Sequence, residues 1–348
     1  MLYKNVCIEA FGYEMPCNIV TSIALEERLS PIYEKLNLSY GRLELMSGIK
    51  ERRFWDKGTM PSQVSIAAAK KALYNADIRG EQVECLINAS VSRDCLEPAT
   101  ACIVHHALDS SKNATIFDVS NACLGFINSM AILANMIELG QVKVGLITAG
   151  ECAEKLIDST INALLDDPSP TRSKIKSAFA SLTIASGAVA LVMTHRSLSR
   201  TGHRLLGGAI RNATEHNLLC RGGANYAFNQ TEPLLMDTQA ESMLQQGCVL
   251  AKETWEATKE ELGWTNHDPK RIFCHQVGIA HRRLFYKTLL LDIAKDFSTL
   301  EYLGNIGSVS APITMAIGIE QNLVQKGDKI TLLGIGSGLD CLMFGVQW

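Results

Sequence analysis

Short runs of apolar and β-branched residues alternate along the chain with longer stretches in which apolar residues recur every three or four positions. In the first half, apolar positions with helical spacing run from Phe126 to Ile137 and end near Gly140, and an Ala-rich helix is predicted from Ser62 to Asn75. The predicted strands of this half are 82–88, 114–119, 144–150 and 187–193. The alternation predicts α/β units arranged around buried strands.

In the second half of the chain, short apolar runs again alternate with longer stretches of helical spacing. Its predicted elements are a helix at 243–262, a strand at 271–274, a helix at 280–290, a helix from Pro312, and closing strands at 329–333 and 339–346. The similar order predicts a duplicated α/β layout, with the break in the polar segment 195–202. We therefore predict an N-terminal half, residues 1–195, and a C-terminal half, residues 196–348.

The composition narrows the classes of function. The 33 basic and 36 acidic residues give a net charge of −3, with no run of basic residues, so the chain lacks the electrostatic footprint of a nucleic-acid binder. A hydrophobic content of 47% excludes long disordered stretches. No apolar run reaches the roughly 18 residues that a transmembrane helix needs. We predict neither a nucleic-acid partner nor a membrane span.

The cysteines indicate a reducing compartment. There are 11 of them, they are scattered, and none forms a CxxC pair or a Cys/His spacing suited to zinc. The first six residues lead into a strand-like stretch without the apolar core of a signal peptide. We predict a cytoplasmic protein without a metal.

Cys123 is the most informative cysteine, because it follows a predicted strand and a turn of small or polar residues and opens an apolar helix. Backbone N–H groups and the helix dipole at that position favour the thiolate, which attacks thioesters. A buried structural cysteine explains the same pattern equally well.

Three further residues fit a site around such a nucleophile, although each also has a structural explanation. His275 directly follows the strand 271–274, where α/β folds gather ligands, but it can equally be a buried structural histidine. Asn305 lies in a glycine-rich turn and can donate to an oxyanion or simply make the turn. Glu97 precedes Pro98 before a predicted helix, where a carboxylate often caps the helix.

The glycines at 334–338 lack the full GxGxxG pattern, and no helix follows them to bind a pyrophosphate, so we predict no dinucleotide and no other cofactor. The segment is predicted to form a tight hairpin, with backbone N–H groups near Gly338 available to an oxyanion. The chain also lacks the GxSxG motif of serine hydrolases.

The segments 121–126, 274–276 and 304–308 resemble the condensing enzymes of the thiolase superfamily in order and separation, and 47–53 and 334–338 extend the resemblance over nearly the whole chain. The resemblance implies a five-layered α/β/α/β/α thiolase fold made of two duplicated halves, and a homodimer. It also implies acyl transfer to Cys123, with His275 and Asn305 holding the thioester oxyanion or enolate.

Within the superfamily, the chain most resembles the olefin-biosynthesis condensing thiolases, which join two fatty acyl-CoAs, through residues 52–55, 96–101 and 274–277. Ketoacyl-ACP synthase III carries a Trp and an Arg at positions that match Arg42 and Met46 here, so it resembles the chain less well.

The resemblance also gives Glu97 a role. Joining two acyl chains without decarboxylation requires removal of an α proton, and in the olefin-pathway enzyme a glutamate of the dimer partner is assigned this step. HMG-CoA synthase has a catalytic glutamate too, so Glu97 does not separate these two enzymes. The implied partners are acyl-CoA or acyl-ACP substrates, a second copy of the chain, and downstream olefin-pathway enzymes.

Two alternatives remain at this point. One is decarboxylative condensation of acyl-CoA with malonyl-ACP, as in ketoacyl-ACP synthase III. The other is a non-catalytic thiolase-fold subunit that binds acyl chains or an active partner, although such subunits usually lose the nucleophile or the histidine, and both are present here. The polar insertion 151–181 is expected either to cap the acyl tunnels or to decorate the surface.

Overall fold

Within the residues that the structure describes, nine strands from both halves of the chain join in one hydrogen-bonded sheet, and the other four form two separate two-stranded sheets. The computed structural model describes residues 1–223 and 235–348. Its strands are β1 (Val6–Glu14), β2 (Asn18–Thr21), β3 (Glu51–Phe54), β4 (Cys85–Asn88), β5 (Thr115–Asp118), β6 (Val144–Glu151), β7 (Gly187–His195), β8 (Arg204–Asn212), β9 (Cys220–Gly223), β10 (Leu235–Thr238), β11 (Arg271–Cys274), β12 (Lys329–Gly336) and β13 (Asp340–Gln347).

The helices follow the strands in an alternating order. They are α1 (Ser22–Glu27), α2 (Ser30–Lys35), α3 (Arg42–Ser47), α4 (Pro61–Ala76), α5 (Thr100–Ala107), α6 (Gly125–Glu138), α7 (Glu154–Leu165), α8 (Arg172–Leu182), α9 (Ala240–Leu262), α10 (Ile279–Leu289), α11 (Leu300–Leu303) and α12 (Ser310–Glu320). Among the described residues, no helix is both long enough and apolar enough to cross a lipid bilayer.

The sheet repeats its topology. In the first half, the strand order is β5-β4-β6-β7-β1, in which β4 pairs in parallel with β5 and β6, and β7 pairs antiparallel with β6 and β1. In the second half, the order is β11-β12-β13-β8, in which β11 and β12 are parallel and the remaining pairs are antiparallel. The second half therefore reproduces four of the five strands of the first, with the same relative directions.

Helices cover both halves of the sheet and fill the space between them. Helices α6 and α12 pack in one apolar cluster with strands of both halves. Helices α4 and α5 pack against the other face of the first half, and α9 and α10 against the other face of the second. The arrangement has five layers, α/β/α/β/α, as predicted.

The strongly periodic elements lie close to their predicted positions, and the differences are local. The strand predicted at 82–88 begins only at Cys85, because Gly80–Gln82 forms a 3₁₀ turn. The insertion 151–181 is not a polar decoration: after the end of β6 it forms α7 and α8, whose apolar residues pack with those of α1, α2 and α3. The predicted division at 195/196 falls in the connection between β7 and β8, and we retain it as a proposal.

Candidate active site

Cys123 lies in a strained turn between β5 and α6. Ala122 has φ +44°, in the left-handed region that costs a residue with a Cβ roughly 1 kcal/mol or more. Two backbone bonds hold the turn, from Leu124 N–H to the Asn121 carbonyl at 2.9 Å and from Gly125 N–H to the Ala122 carbonyl at 3.2 Å. The helix begins at Gly125, so Cys123 precedes the helix and does not open it as the sequence pattern suggested.

Burial dominates the chemistry of the Cys123 thiol. The residue keeps partial solvent exposure, but the surrounding protein raises the pKa of Cys123 to about 12, and the nearby Cys220 and Glu151 add to this rise. Its own backbone N–H acts in the opposite direction and is outweighed. The backbone N–H thus favours the thiolate, in the expected direction, but desolvation is the larger effect.

The last two strands form the predicted hairpin, and it reaches the Cys123 turn. A Cβ atom on Gly336 would lie 3.3 Å from the Leu124 nitrogen and 3.6 Å from the Cys123 nitrogen. A glycine at this position lets the end of β12 pack directly on the backbone of the turn. Gly338 forms the tip of the hairpin with φ +120°, and its contact with an oxyanion remains a prediction.

His275 is held at the end of β11 as a neutral imidazole. Its backbone N–H donates to the Leu333 carbonyl of β12 at 2.9 Å, and the residue is buried. Burial lowers the pKa of His275 to about 3, and the nearby His281 contributes in the same direction. Its buried Nδ1 has no hydrogen-bond partner within 1–223 and 235–348. At neutral pH this side chain can therefore donate one ring N–H to a ligand without carrying a charge.

Asn305 is fixed through both its backbone and its side chain. Its N–H donates to the Thr183 carbonyl at 3.0 Å, and its carbonyl accepts from Ala185 N–H at 2.8 Å. Its Oδ1 accepts from Gly307 N–H at 3.0 Å. Because the amide oxygen is already bonded, the NH₂ group is the part of this buried side chain that can donate to an oxyanion.

The loops that carry Cys123, His275 and Asn305 are connected at one region of the molecule. Strand β12 holds His275 through Leu333 and reaches the Cys123 turn through Gly336. Ser308, three residues after Asn305, donates to Glu151 at the end of β6, and the Glu151 charge acts on Cys123. The carboxyl ends of strands from both halves thus supply the site, as is usual for α/β folds.

Glu97 is the fourth residue proposed for the site. It is exposed on the loop between β4 and α5, and no hydrogen bond joins it to the other three in the described part of the molecule. The loop is anchored on both sides of Glu97. Asp94 accepts from Ser62 N–H at 2.8 Å, and Asp118 accepts from the N–H groups of Thr100 and Ala101 at 2.9 and 2.8 Å.

The sequence pattern did not identify two titratable residues of the site, Glu151 and His281. Glu151 is the last residue of β6, and His281 is a half-buried residue six positions after His275, where desolvation lowers its pKa to about 4. An acidic residue at the carboxyl end of a buried strand is a signal that could have identified Glu151. Among the residues that the structure describes, no group of His, Cys, Asp or Glu side chains is arranged to hold a metal ion.

Comparison with known proteins gives consistent matches along the chain. The family described as 3-oxoacyl-[acyl-carrier-protein (ACP)] synthase III matches residues 117–212, and its C-terminal counterpart matches residues 260–348. The acyl-CoA:acyl-CoA alkyltransferases of Shewanella oneidensis and Xanthomonas campestris pv. campestris are each 39% identical, over 100% of this chain and 100% of the relative.

A solved structure gives the same match at the level of the fold. A cysteine-to-serine variant of Xanthomonas campestris OleA, with bound lauric acid and lauroyl-CoA, superimposes with a TM-score of 0.93 at 38% identity and covers 100% of both chains. The same OleA has also been solved with a glutamate and with a histidine substituted. The similarity extends over the thiolase-type fold as a whole.

Proposed function

The chain belongs to the acyl-CoA:acyl-CoA alkyltransferases of the 3-oxoacyl-ACP synthase III family, and we propose that it joins two fatty acyl-CoA molecules by non-decarboxylative Claisen condensation. The observation that carries this proposal is the connection of the Cys123, His275 and Asn305 loops by β12 and Glu151. A nucleophile and two oxyanion donors are the groups that acyl transfer requires.

The first step transfers an acyl group to Cys123. The Cys123 sulfur attacks the thioester carbonyl, the bond from this carbonyl to the CoA sulfur breaks, and the thiol proton leaves with free CoA. Because the pKa of the thiol is raised to about 12, the thiol is neutral before the attack, and its proton passes to the departing CoA sulfur. Backbone N–H groups near Cys123 and Gly338 are proposed to hold the oxyanion of this step.

The second step makes the carbon–carbon bond. Glu97 of the partner subunit removes an α proton from a second acyl-CoA, and the enolate attacks the carbonyl of the acyl-enzyme. The Cys123 sulfur leaves and recovers the proton, and the product is a 2-alkyl-3-ketoacyl-CoA. Water then splits its CoA thioester to give the β-keto acid. The exposed position of Glu97 in a single chain supports a contribution to the site of the partner.

His275 and Asn305 are proposed to stabilise the enolate in this second step. A neutral imidazole N–H and an oriented amide NH₂ are both donors, and each lies in a buried position where a hydrogen bond to a developing charge is strong. No cofactor takes part in the proposal, because an α proton next to a thioester can be removed by a carboxylate alone.

The same proposal includes the oligomeric state, the substrates, the downstream partner and the cellular location of the enzyme. It works as a homodimer on acyl-CoA or acyl-ACP thioesters, and the β-keto product is passed to a downstream enzyme of olefin biosynthesis. The similarity to an OleA solved with lauroyl-CoA supports a CoA thioester as the donor. A cytoplasmic location is proposed because all 11 cysteines are free thiols, as expected in a reducing compartment.

Product analysis tests the proposed function. The purified protein is incubated with one long-chain acyl-CoA alone and then with malonyl-ACP added, and the products are identified by mass spectrometry. A β-keto acid, or the ketone formed from it, is expected from acyl-CoA alone. If product appears only with malonyl-ACP and carbon dioxide is released, the enzyme is a decarboxylative ketoacyl synthase and the proposal is wrong.

A further inference from the structure

Glu151 is a buried carboxylate that none of the steps above uses. It ends β6 and is 6% exposed. Four donors surround its two oxygens: Val91 N–H at 2.9 Å and Ser308 Oγ at 2.5 Å on Oε1, and Ser92 N–H at 3.0 Å and Ser92 Oγ at 2.8 Å on Oε2. Burial raises the pKa of Glu151, whereas these four hydrogen bonds lower it, and a group that receives only donors is arranged to accept as a carboxylate.

The four donors come from two different loops. Val91 and Ser92 begin the loop that leads to Glu97, and Ser308 belongs to the turn that follows Asn305. These two loops carry the groups assigned to enolate formation, namely the base and the amide donor. The hydrogen bonds of the Cys123 turn, in contrast, do not involve Glu151: two backbone bonds close within residues 121–125, and Asn121 Nδ2 donates to Asn128 Oδ1 at 2.8 Å.

Contacts lead from Glu151 to the amide of Asn305. Gly307 has φ +56°, and a Cβ atom there would lie 3.7 Å from Glu151 Oε1, so the backbone at this point packs on the carboxylate. The N–H of Gly307 is the donor to Asn305 Oδ1. Loss of the carboxylate would free Ser308 and Gly307 together and would let the Asn305 amide rotate.

We propose that Glu151 is a positioning residue for the enolate-forming half of the reaction, where it holds the Glu97 loop and the Asn305 turn in place, and that acylation of Cys123 does not require it. This inference rests on the proposed function and assigns a residue to one of its two steps. A displacement of about 1 Å at a reacting group can cost about 100-fold in rate, so a residue that only positions others can still control turnover.

Loss of Glu151 should leave the rate of Cys123 acylation unchanged or raise it, and should lower the rate of condensation. The negative charge of Glu151 raises the pKa of the Cys123 thiol. Removal of the charge therefore makes the sulfur easier to deprotonate, whereas loss of the acceptor loosens both loops of the enolate step. A side chain that only stabilises the fold would slow both steps together.

The test compares Glu151→Gln with Glu154→Gln. Glu154 is also a partly buried carboxylate with a raised pKa, and it accepts from Ser186 Oγ at 3.0 Å, but it bonds to neither of the two loops. Acylation is measured in a rapid-quench experiment as the mass increase of Cys123 with one equivalent of acyl-CoA. Condensation is measured as the rate of β-keto product formation.

Glu151→Gln is expected to keep or increase the acylation rate and to lower the condensation rate by about 10-fold to 100-fold. Glu154→Gln should leave the ratio of the two rates unchanged. Equal losses in both steps, or unchanged condensation, would overturn the inference. If Glu151→Gln does not fold, Ser308→Ala removes one of the four bonds and should lower the condensation rate in the same direction by a smaller factor.

If the proposed function is wrong, the experiments give a different result from the one that overturns the role of Glu151. In that case the wild-type protein condenses acyl-CoA only with malonyl-ACP. The acylation and condensation rates of the two variants, measured in that reaction, would still decide the role of Glu151, because Asn305 would stabilise an enolate there as well.

Discussion

Desolvation sets the protonation states of the two central side chains of the site, and it does so in opposite directions. Burial raises the pKa of the Cys123 thiol to about 12 and lowers the pKa of His275 to about 3. Both groups are therefore neutral across the physiological range. Two neutral partners fit a site in which charge appears only during the reaction, on the oxyanion and on the enolate.

The reactivity of Cys123 with iodoacetamide should rise continuously with pH. Because the thiol pKa lies near 12, the thiolate fraction increases about tenfold per pH unit throughout the accessible range. Mass spectrometry of the Cys123 peptide between pH 7 and about 10 measures this rate, with the exposed Cys17 and Cys95 in the same sample as references. A rate that levels off below pH 8 would show a thiolate stabilised by its surroundings and would contradict the assigned protonation state.

The residue types of the site could be predicted from the sequence, whereas their electrostatics could not. Cys123, His275 and Asn305 stand in short motifs next to predicted strands, and local sequence is enough to place them at loop positions. The pKa values depend on residues packed from elsewhere in the chain. Glu151 was missed for the same reason, because its partners Ser92 and Ser308 are 59 and 157 positions away.

At the scale of elements, the contact between the terminal hairpin and the Cys123 turn joins the two halves of the site. Gly336 allows this close contact, because a Cβ atom there would lie only 3.3 Å from the Leu124 nitrogen, and the turn would have to shift to make room for it. The turn itself contains the left-handed Ala122 and cannot move without losing its two internal bonds. We therefore expect the hairpin to support the turn that carries the nucleophile.

Gly336→Ala should damage acylation more than it damages the fold. The new methyl group would lie 3.2 Å from Leu124 Cγ and 3.3 Å from its nitrogen, an overpacking that typically costs about 1–3 kcal/mol of stability. We expect a thermal midpoint a few degrees lower and acylation of Cys123 slower by about tenfold or more. Ser337→Ala, which adds no atom in the same hairpin, is the control. Wild-type acylation kinetics in Gly336→Ala would contradict the supporting role of the hairpin.

Periodicity identified the elements with a clear apolar face and missed those without one. Helices α4 and α6 and strand β11 lie within two residues of their predicted ends. Strand β8 was not predicted, since its run contains two adjacent glycines, Gly207 and Gly208. The short helices α1 to α3 were missed too, because six residues are too few to show a helical period.

At the scale of the whole molecule, the fold connects the loops of Cys123, His275 and Asn305, whereas Glu97 is exposed and forms no hydrogen bond to these three residues in the described part of the chain. The duplicated sheet brings loops from both halves to one region around Cys123. Glu97 is exposed on a loop that is anchored by Asp94 and Asp118. A loop that is anchored on both sides and presents an exposed carboxylate is suited to serve a neighbouring subunit, and a two-fold dimer would complete both sites at once.

Activity in mixed dimers of Cys123→Ala and Glu97→Gln tests the central claim most directly. Each variant alone should form no β-keto product from acyl-CoA. When the two chains are unfolded, mixed and refolded together, or co-expressed, the mixed dimer contains one site with Cys123 from one chain and Glu97 from the other. Random pairing should restore about a quarter of the wild-type rate in a two-fold dimer. The control mixture of Cys123→Ala with the doubly substituted chain should stay inactive. A mixture of the two single variants that stays equally inactive, or a Glu97→Gln homodimer with the wild-type rate, would contradict the account.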